Sequence, residues 1–233
     1  MGIAHHFVRR GEEVIDMVRD NRPDDDRSPP PRRWRGEPIH PLMEIDLFFQ
    51  NEGPVPDMFR RLKAHLERLD IPHIFGATAL GMHSYIRATE DVDACMRASD
   101  LATFRTELVG GVYRPVEGRS RRFRDPIADR TFDTLIAGEI AGNSRKQQSV
   151  KFPDPSEAEI RCGIPVPGLM RLIELKLVTW RYKDWGAVIE LIRRNKLDEG
   201  FGQQFAPMSR SLYLQCYDQM REEDHYDAIH EQS

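Results

Sequence analysis

The sequence has few cysteines, no long hydrophobic run and no large excess of one charge. Its 233 residues include three widely separated cysteines, Cys95, Cys162 and Cys216, none in a CxxC or Cys/His pattern. We therefore expect neither a disulfide framework nor a zinc site. No window approaches the roughly 18 apolar residues of a membrane helix, and the N-terminus lacks the apolar core of a signal peptide. A cytoplasmic protein without a membrane partner is expected.

Charge limits the role of nucleic acid in the same way. The 34 basic and 38 acidic residues leave a net charge of -4, so the protein as a whole would not bind a polyanion. Any RNA contact would need a local basic patch. The densest arginine cluster lies on the predicted strands of residues 112–123 and just beyond, and consists of Arg114, Arg119, Arg121, Arg122 and Arg124. Such runs are more often solvated faces than RNA-binding surfaces.

Three stretches of different composition divide the chain. Residues 1–42 contain six prolines between Pro23 and Pro41, and because proline prevents helices and central strands, we expect a largely disordered extension. Residues 43–160 alternate helical and strand patterns and are predicted to form the core. Residues 161–233 are helical in pattern and are predicted to pack on that core. The fold class is therefore α+β, with a helical C-terminal region.

Hydrophobic periodicity predicts the individual elements. A stripe at helical spacing (Phe59, Leu62, Leu66, Leu69) indicates a first helix. After it we expect a strand at 73–75, a helix at 78–85, strands at 92–96 and 131–136, and helices at 101–108, 169–182, 185–194 and 209–220. Residues 142–165 are rich in proline and are predicted to be a loop.

Carboxylates on the predicted strands are the main candidates for chemistry. Asp91 and Asp93 share one face of a strand because side chains alternate with period 2. Neighbouring carboxylates repel and stay ionised only beside a cation, and hard ions such as Mg²⁺ suit them. An Asp-x-Asp pair by itself is most often solvated surface. A third acid, Asp133, occupies the centre of an apolar strand, where an acid needs a partner.

A glycine turn stands where a phosphate would bind. Gly76 and Ala77 close a predicted strand and open a predicted helix, so that backbone N–H groups there can receive an anion. Lys176 lies on the apolar stripe of its helix; it is either a lysine reaching into a site or one that extends from the core edge to water. Asp184 follows two turns later and is either its partner or an ordinary acid at a helix break.

These residues resemble a known signature. Phe75-Gly76-Ala77, followed after thirteen residues by Asp91-Val92-Asp93, resembles the motif of the DNA polymerase beta-like nucleotidyltransferase superfamily. The ordered set of further matches is most similar to the minimal nucleotidyltransferases and the AbiEii/AbiGii toxin family. Those matches are residues 85–93, 132–139, 152–155, 172–177 and 181–184, within about two-thirds of the chain, residues 43–197.

The resemblance implies a fold and a reaction. The fold would be a small mixed β-sheet with packed helices, and the reaction would move a nucleoside monophosphate from an NTP to an acceptor hydroxyl. Asp91, Asp93 and Asp133 would be the catalytic carboxylates, holding two Mg²⁺ ions, for which Mn²⁺ can substitute. Asp133 would also help to activate the acceptor hydroxyl.

The resemblance also implies how the nucleotide is held. Gly76 and the backbone at Ala77 would cradle the β- and γ-phosphates, and Lys176 would reach the triphosphate with Asp184 orienting it. Independently of the resemblance, Arg87 precedes the carboxylate pair by four residues and would brace the acids or touch phosphate, with a structural salt bridge as an equal alternative. Ala77 replaces the family's Gly or Ser, and Ala187 stands where the toxin-type motif has a second Asp.

Two classes of function remain. The favoured one is a Mg²⁺-dependent nucleotidyltransferase acting on a tRNA or other RNA 3′ end or on a protein side chain, as the toxin component paired with an antitoxin. A small-molecule acceptor is less favoured. The competing class is a catalytically silent nucleotide-binding or interaction module of the same fold, which Ala77 and Ala187 would permit. Retention of the three acids favours the enzyme.

Overall fold

The computed structural model describes residues 53–76, 78–85, 92–142, 150–179 and 181–230. The predicted N-terminal extension, residues 1–42, lies outside these ranges. Three candidate site residues, Ala77, Arg87 and Asp91, also lie outside them. The proposed division of the chain into an extension, a core and a helical region stays a prediction.

A five-stranded mixed sheet lies at the centre. Its strands in chain order are β1 (Ile74–Phe75), β2 (Val92–Met96), β3 (Arg114–Val116), β4 (Arg119–Asp125) and β5 (Arg130–Ile136). The spatial order is β1-β2-β5-β4-β3. Strands β2 and β5 are parallel, and the other neighbours are antiparallel. The predicted α+β fold with a small mixed sheet is confirmed.

One face of this sheet carries the main hydrophobic core. The helices of the first half are α1 (Pro54–Arg68), α2 (Ala79–Met82) and α3 (Ala98–Leu108). Aromatic rings join α1 and α3 to the sheet: Phe59 lies 4.5 Å from Phe75, and Phe104 lies 5.2 Å from Phe123 between ring centroids. The stripe on α1 that predicted a helix is buried at Phe59, Leu62 and Leu66. Burying these rings supplies much of the stability of the fold.

Helices form the C-terminal part. They are α4 (Leu169–Leu177), α5 (Tyr182–Arg194) and α6 (Pro207–His230), and a 3₁₀ helix (Glu199–Gln204) precedes α6. Helix α6 packs on α4 and α5. The short α2 is joined to this region, because the His83 ring nitrogen Nε2 donates to the Pro167 carbonyl (2.9 Å) and Asn195 Nδ2 donates to the His83 carbonyl (2.9 Å). A cavity lies between the sheet and this helical region.

Two local predictions were wrong. The predicted loop at 142–165 contains strands β6 (Glu159–Arg161) and β7 (Ile164–Val166), which form a hairpin. The turn between them uses Cys162 and Gly163, both with positive φ. Because cysteine rarely adopts positive φ, its presence in the sequence does not indicate such a turn. Helix α4 ends at Leu177 and α5 begins at Tyr182, whereas the break between them was expected at 183–184.

Among the residues described, no helix combines the length and apolar character that crossing a membrane requires.

Candidate active site

A cavity of about 320 Å³ opens on the face of the sheet opposite the main core. Its walls come from β1, β2, β4 and β5 on one side and from α4 and α5 on the other. Every candidate site residue within the described ranges lines it: Gly76, Asp93, Asp133, Lys176 and Asp184. The tertiary fold thus brings together residues that are up to 108 positions apart in the sequence.

The two described carboxylates are neighbours by strand register. Asp93 on β2 is aligned with Asp133 on the parallel strand β5, so both side chains lie on the same face, one strand spacing apart. The residues beside them, Val92 and Phe132, are buried in the core on the other face. Alternation along each strand therefore sends acids into the cavity and apolar groups into the core.

Gly76 lies directly beside Asp93. Its N–H donates to the Asp93 carbonyl over 3.0 Å. A Cβ added at Gly76 would lie 3.5 Å from the Asp93 Cβ and 3.8 Å from its Oδ2. The glycine thus leaves the space in front of the carboxylate open, and a larger side chain would cover it.

Arg122 on β4 completes this wall of the cavity. It is aligned with Asp133 across the antiparallel β4–β5 pair. Its Nε and Nη2 donate to the two Asp133 carboxylate oxygens over 2.8 and 2.6 Å. The acid at the centre of an apolar strand therefore has the partner that its position required.

Lys176, Thr179, Arg181 and Asp184 form the opposite wall. Lys176 Nζ donates to Asp184 Oδ1 over 2.9 Å, and the Thr179 hydroxyl donates to Asp184 Oδ2 over 2.7 Å. The Arg181 guanidinium also pairs with Asp184. Burial raises the pKa of the Asp184 carboxyl, but Lys176, Thr179 and Arg181 outweigh burial and hold the pKa below its ordinary value. The carboxylate stays ionised and holds Lys176 at the cavity wall.

This arrangement corrects the picture of Asp184 as an acid at a helix break. Asp184 lies in the first turn of α5 and is buried. An acid in a first helical turn is stabilised by the helix dipole. Lys176 is not simply extended into water either, since its side chain is 17 % exposed and ion-paired.

The segment after β5 closes the cavity on a third side. Phe152 and Pro153 line the cavity, and Asp154 holds this segment in place because Arg97 donates to both of its carboxylate oxygens over 2.9 and 2.7 Å. Arg97 lowers the pKa of Asp154. Cys95, on the cavity side of β2, is buried, and burial raises the pKa of its thiol to about 12. Cys95 is therefore a neutral lining group.

The structure places Arg114 of the arginine cluster on β3 and the other members on β4, where they point to both faces of the strand. Arg122 enters the cavity, Arg121 pairs with Glu139, and Arg124 pairs with Asp129. The density of positive charge had suggested a single patch. Strand alternation separates its members, and nearby acids pair with three of them.

Sequence reasoning missed the roles of Arg122, Thr179 and Arg181. Arg122 was counted with the surface arginines, because only the β4–β5 register sets it opposite Asp133. Period-2 alternation along residues 119–125 offers a signal, since it separates Arg122 from the buried Phe123 and Asp125. It does not say which strand lies alongside.

The described residues alone do not form a complete metal site. Within them, no group of three or more acidic, histidine or cysteine side chains is placed to hold a metal ion. Asp91, two residues before Asp93, is outside the described ranges. The adjacent oxygen donors of Asp93 and Asp133 are of the hard type that Mg²⁺ and Mn²⁺ prefer. The two described carboxylates are therefore of a type that fits such an ion.

Comparisons with known proteins add little to this geometry. No protein-family model matches the sequence. A search of curated proteins gives no significant match. Among solved structures, the solution structure of the antibiotic-resistance factor ANT(2'')-Ia is similar over 80 % of this chain and 100 % of its own, with 13 % identity and a TM-score of 0.40. At this level the likeness carries no conclusion about activity, which has to be inferred from the cavity itself.

Proposed function

We propose that the protein is a metal-dependent nucleotidyltransferase that moves a nucleoside monophosphate from an NTP to an acceptor hydroxyl. The observation that carries this proposal is the convergence of Gly76, Asp93, Asp133, Lys176 and Asp184 on one cavity. All five match positions to which the nucleotidyltransferase resemblance assigns a role in the same reaction. The cavity volume of about 320 Å³ lies at the lower end of the range for small-molecule sites, so it would hold part of a nucleotide.

The acids would supply the metal ligands. Asp93 and Asp133, together with Asp91, would hold Mg²⁺, with Mn²⁺ able to substitute. The bound ion would supply Lewis-acid stabilisation of the charge that develops on the phosphoryl and leaving oxygens. Asp133 would in addition accept the proton of the acceptor hydroxyl, because a carboxylate within hydrogen-bond distance of that proton can act as a general base.

The opposite wall would hold the nucleotide. Lys176 would contact the triphosphate, and Asp184 would keep its ammonium group at the cavity wall through the 2.9 Å contact. Arg181 and Lys183 also line the cavity and would add positive charge near the phosphates. The backbone after Gly76 would contribute N–H donors to the β- and γ-phosphates, including that of Ala77. Arg87 would brace the acids or touch phosphate.

The acceptor would be an RNA 3′ end, such as that of tRNA, or a protein side chain. This part of the proposal rests on the resemblance to the AbiEii/AbiGii toxins and the minimal nucleotidyltransferases. In the same way, a toxin role would require a cognate antitoxin as a partner.

A labelling experiment tests the reaction and the acceptor together. The full chain is incubated with Mg²⁺, each of four α-labelled NTPs, total RNA and cell lysate, and label is followed onto RNA and protein. We expect label on one acceptor class with the wild type and none with Asp93→Asn. Asp129→Asn is the matched control, since it removes the same charge from an exposed acid outside the cavity.

Each outcome decides between the two classes of function. Transfer by the wild type and Asp129→Asn, but not by Asp93→Asn, supports the enzyme. Nucleotide binding without transfer, unchanged in Asp93→Asn, would favour the silent module. Equal transfer by all three proteins would show that the cavity acids are not needed and would refute the proposal.

A further inference from the structure

The starting observation is the pair formed by Arg122 and Asp133 inside the cavity. The guanidinium binds both carboxylate oxygens, over 2.8 and 2.6 Å. This two-pronged geometry is the strongest that an arginine and a carboxylate can form. The side chains are 39 % and 31 % exposed, so solutes in the cavity can reach them.

A second arginine–aspartate pair on the same strand shows what a permanent pair looks like. Asp125 faces the opposite side of β4, where Arg61 donates to its Oδ2 over 2.9 and 2.8 Å. Its other oxygen accepts the N–H groups of Ile127 and Ala128 over 2.8 and 3.1 Å. The Asp125 side chain is 2 % exposed. Asp125 thus organises the β4–β5 turn, while Asp133 is presented to a cavity.

The charges around Asp133 explain why it is paired. Asp93 is aligned with Asp133 on the adjacent strand, and two neighbouring carboxylates repel unless a cation lies close by. Arg122 supplies that cation. A divalent ion on the same carboxylate would lie within a few ångströms of the guanidinium, and two such like charges repel strongly. Arg122 and a metal ion would therefore compete for Asp133.

We propose that Arg122 is an exchangeable counter-ion of Asp133. Before a divalent cation binds, Asp133 is paired with Arg122; when it ligates the ion, Asp133 releases Arg122, whose guanidinium then faces the phosphate side of the cavity. This inference rests on the proposed metal-dependent function. It makes Arg122 a positioning residue, which acts through Asp133.

The sign of a metal-binding change tests this inference. Mn²⁺ affinity is measured for the nucleotide-free full chain by electron paramagnetic resonance titration. We expect Arg122→Gln to bind Mn²⁺ with a Kd about fivefold lower than the wild type, because the ion pair that it removes competes for Asp133 but is weakened by its partial exposure to solvent. Arg122→Lys keeps a single-point charge without the fork and should fall between the two.

Arg124→Gln is the matched control. Arg124 lies on the same strand and the same side, two residues further, but pairs with Asp129 and does not line the cavity. Its loss changes the net charge equally, and we expect the Kd to change by less than about twofold, because Arg124 is exposed and paired with Asp129 and does not compete for a cavity carboxylate. A fivefold change in both variants would mean that net charge alone is responsible, and would overturn the inference.

Asp93→Asn separates the failure of this inference from failure of the proposed function. If the wild type binds no Mn²⁺, or if Asp93→Asn binds it equally well, the proposed metal site is wrong. If Asp93→Asn loses Mn²⁺ while Arg122→Gln binds it as weakly as the wild type or more weakly, the metal site stands. In that case Arg122 is a permanent brace of Asp133, and the exchange is refuted. Should Arg122→Gln fail to fold, the sign is read from Arg122→Lys.

Discussion

The two faces of the central sheet are built from the same strands but differ in role: one packs in the hydrophobic core, and the other lines the cavity. On β5, Phe132 and Thr134 are buried on the side of α1 and α3, while Asp133 between them lines the cavity. On β4, Phe123 enters the core and Arg122 enters the cavity. Adjacent residues of one strand therefore differ in role: one side chain stabilises the core, and the next lines the cavity. A strand with period 2 can serve both purposes without compromise, because each face is set by its own residues.

The largest expected effect comes from the cavity face. Asp133→Asn should lower nucleotidyl transfer by about 10³-fold, since it removes a charged ligand and the general base of the proposed reaction. The melting temperature should change little, because Asp133 is partly exposed and water can solvate Arg122 after the change. Transfer is measured with labelled NTP, and melting by circular dichroism. A collapse of the fold in this variant would contradict the division between the two faces.

Phe132→Ala tests the face behind it. Phe132 is 1 % exposed, and its ring lies 5.0 Å from that of Tyr113. Truncating a buried phenylalanine costs about 3–5 kcal/mol. We expect that loss in the free energy of unfolding from urea titration, with transfer per folded molecule largely retained at low temperature. Loss of transfer at full stability would mean that the core face also shapes the site.

Thr134→Val gives a weaker version of the same contrast. The buried Thr134 hydroxyl donates to the Arg121 carbonyl over 3.1 Å. Valine fills the same space without the hydrogen bond, and a net loss of about 1 kcal/mol is expected. Differential scanning calorimetry should detect it, while transfer stays at the wild-type level. An effect on transfer as large as that of Asp133→Asn would break the comparison.

The smallest expected effect is the contribution of Asp184, on the helical wall of the cavity, to the pH dependence of stability. It is small because burial and the partners of Asp184 act in opposite directions on its pKa. The pKa of Asp184 is lowered from its ordinary value of 3.8, so the unfolded chain binds a proton first as the pH falls. Asp184 therefore contributes stability above the ordinary pKa that is lost as the pH drops through the lowered one.

Unfolding titrations between about pH 5 and pH 3 measure this loss. Asp184→Asn should show a shallower decline over that range, since it has no carboxyl to protonate. Asp129→Asn, which changes an exposed acid outside the cavity, serves as the control. Equal slopes for the wild type and Asp184→Asn would contradict a folded-state pKa of Asp184 below that of the unfolded chain.

The sequence predicted correctly those elements that depend on residues close together in the chain, and it missed two features that local patterns do not indicate. The strand at 92–96 and the helix with Phe59, Leu62 and Leu66 were predicted correctly, because alternation and helical spacing are local properties. The hairpin of β6 and β7 was missed, since the residue before Gly163 in its turn is a cysteine with positive φ, where Asn, Asp or Gly would be the typical signal. The early end of α4 was missed as well, because the amphipathic stripe continues beyond it in the sequence.

By itself the sequence determined most of the local elements, the α+β class and which acidic and basic residues were candidates for a site. Only the tertiary structure decided that Asp133 lies between Asp93 and Arg122, because strand order β2-β5-β4 and its register are set by long-range pairing. It also decided that Lys176 and Asp184 form a pair across a helix break. The sequence gives the chemical type of each side chain directly. The distances between side chains depend on how separate segments pack their apolar faces together.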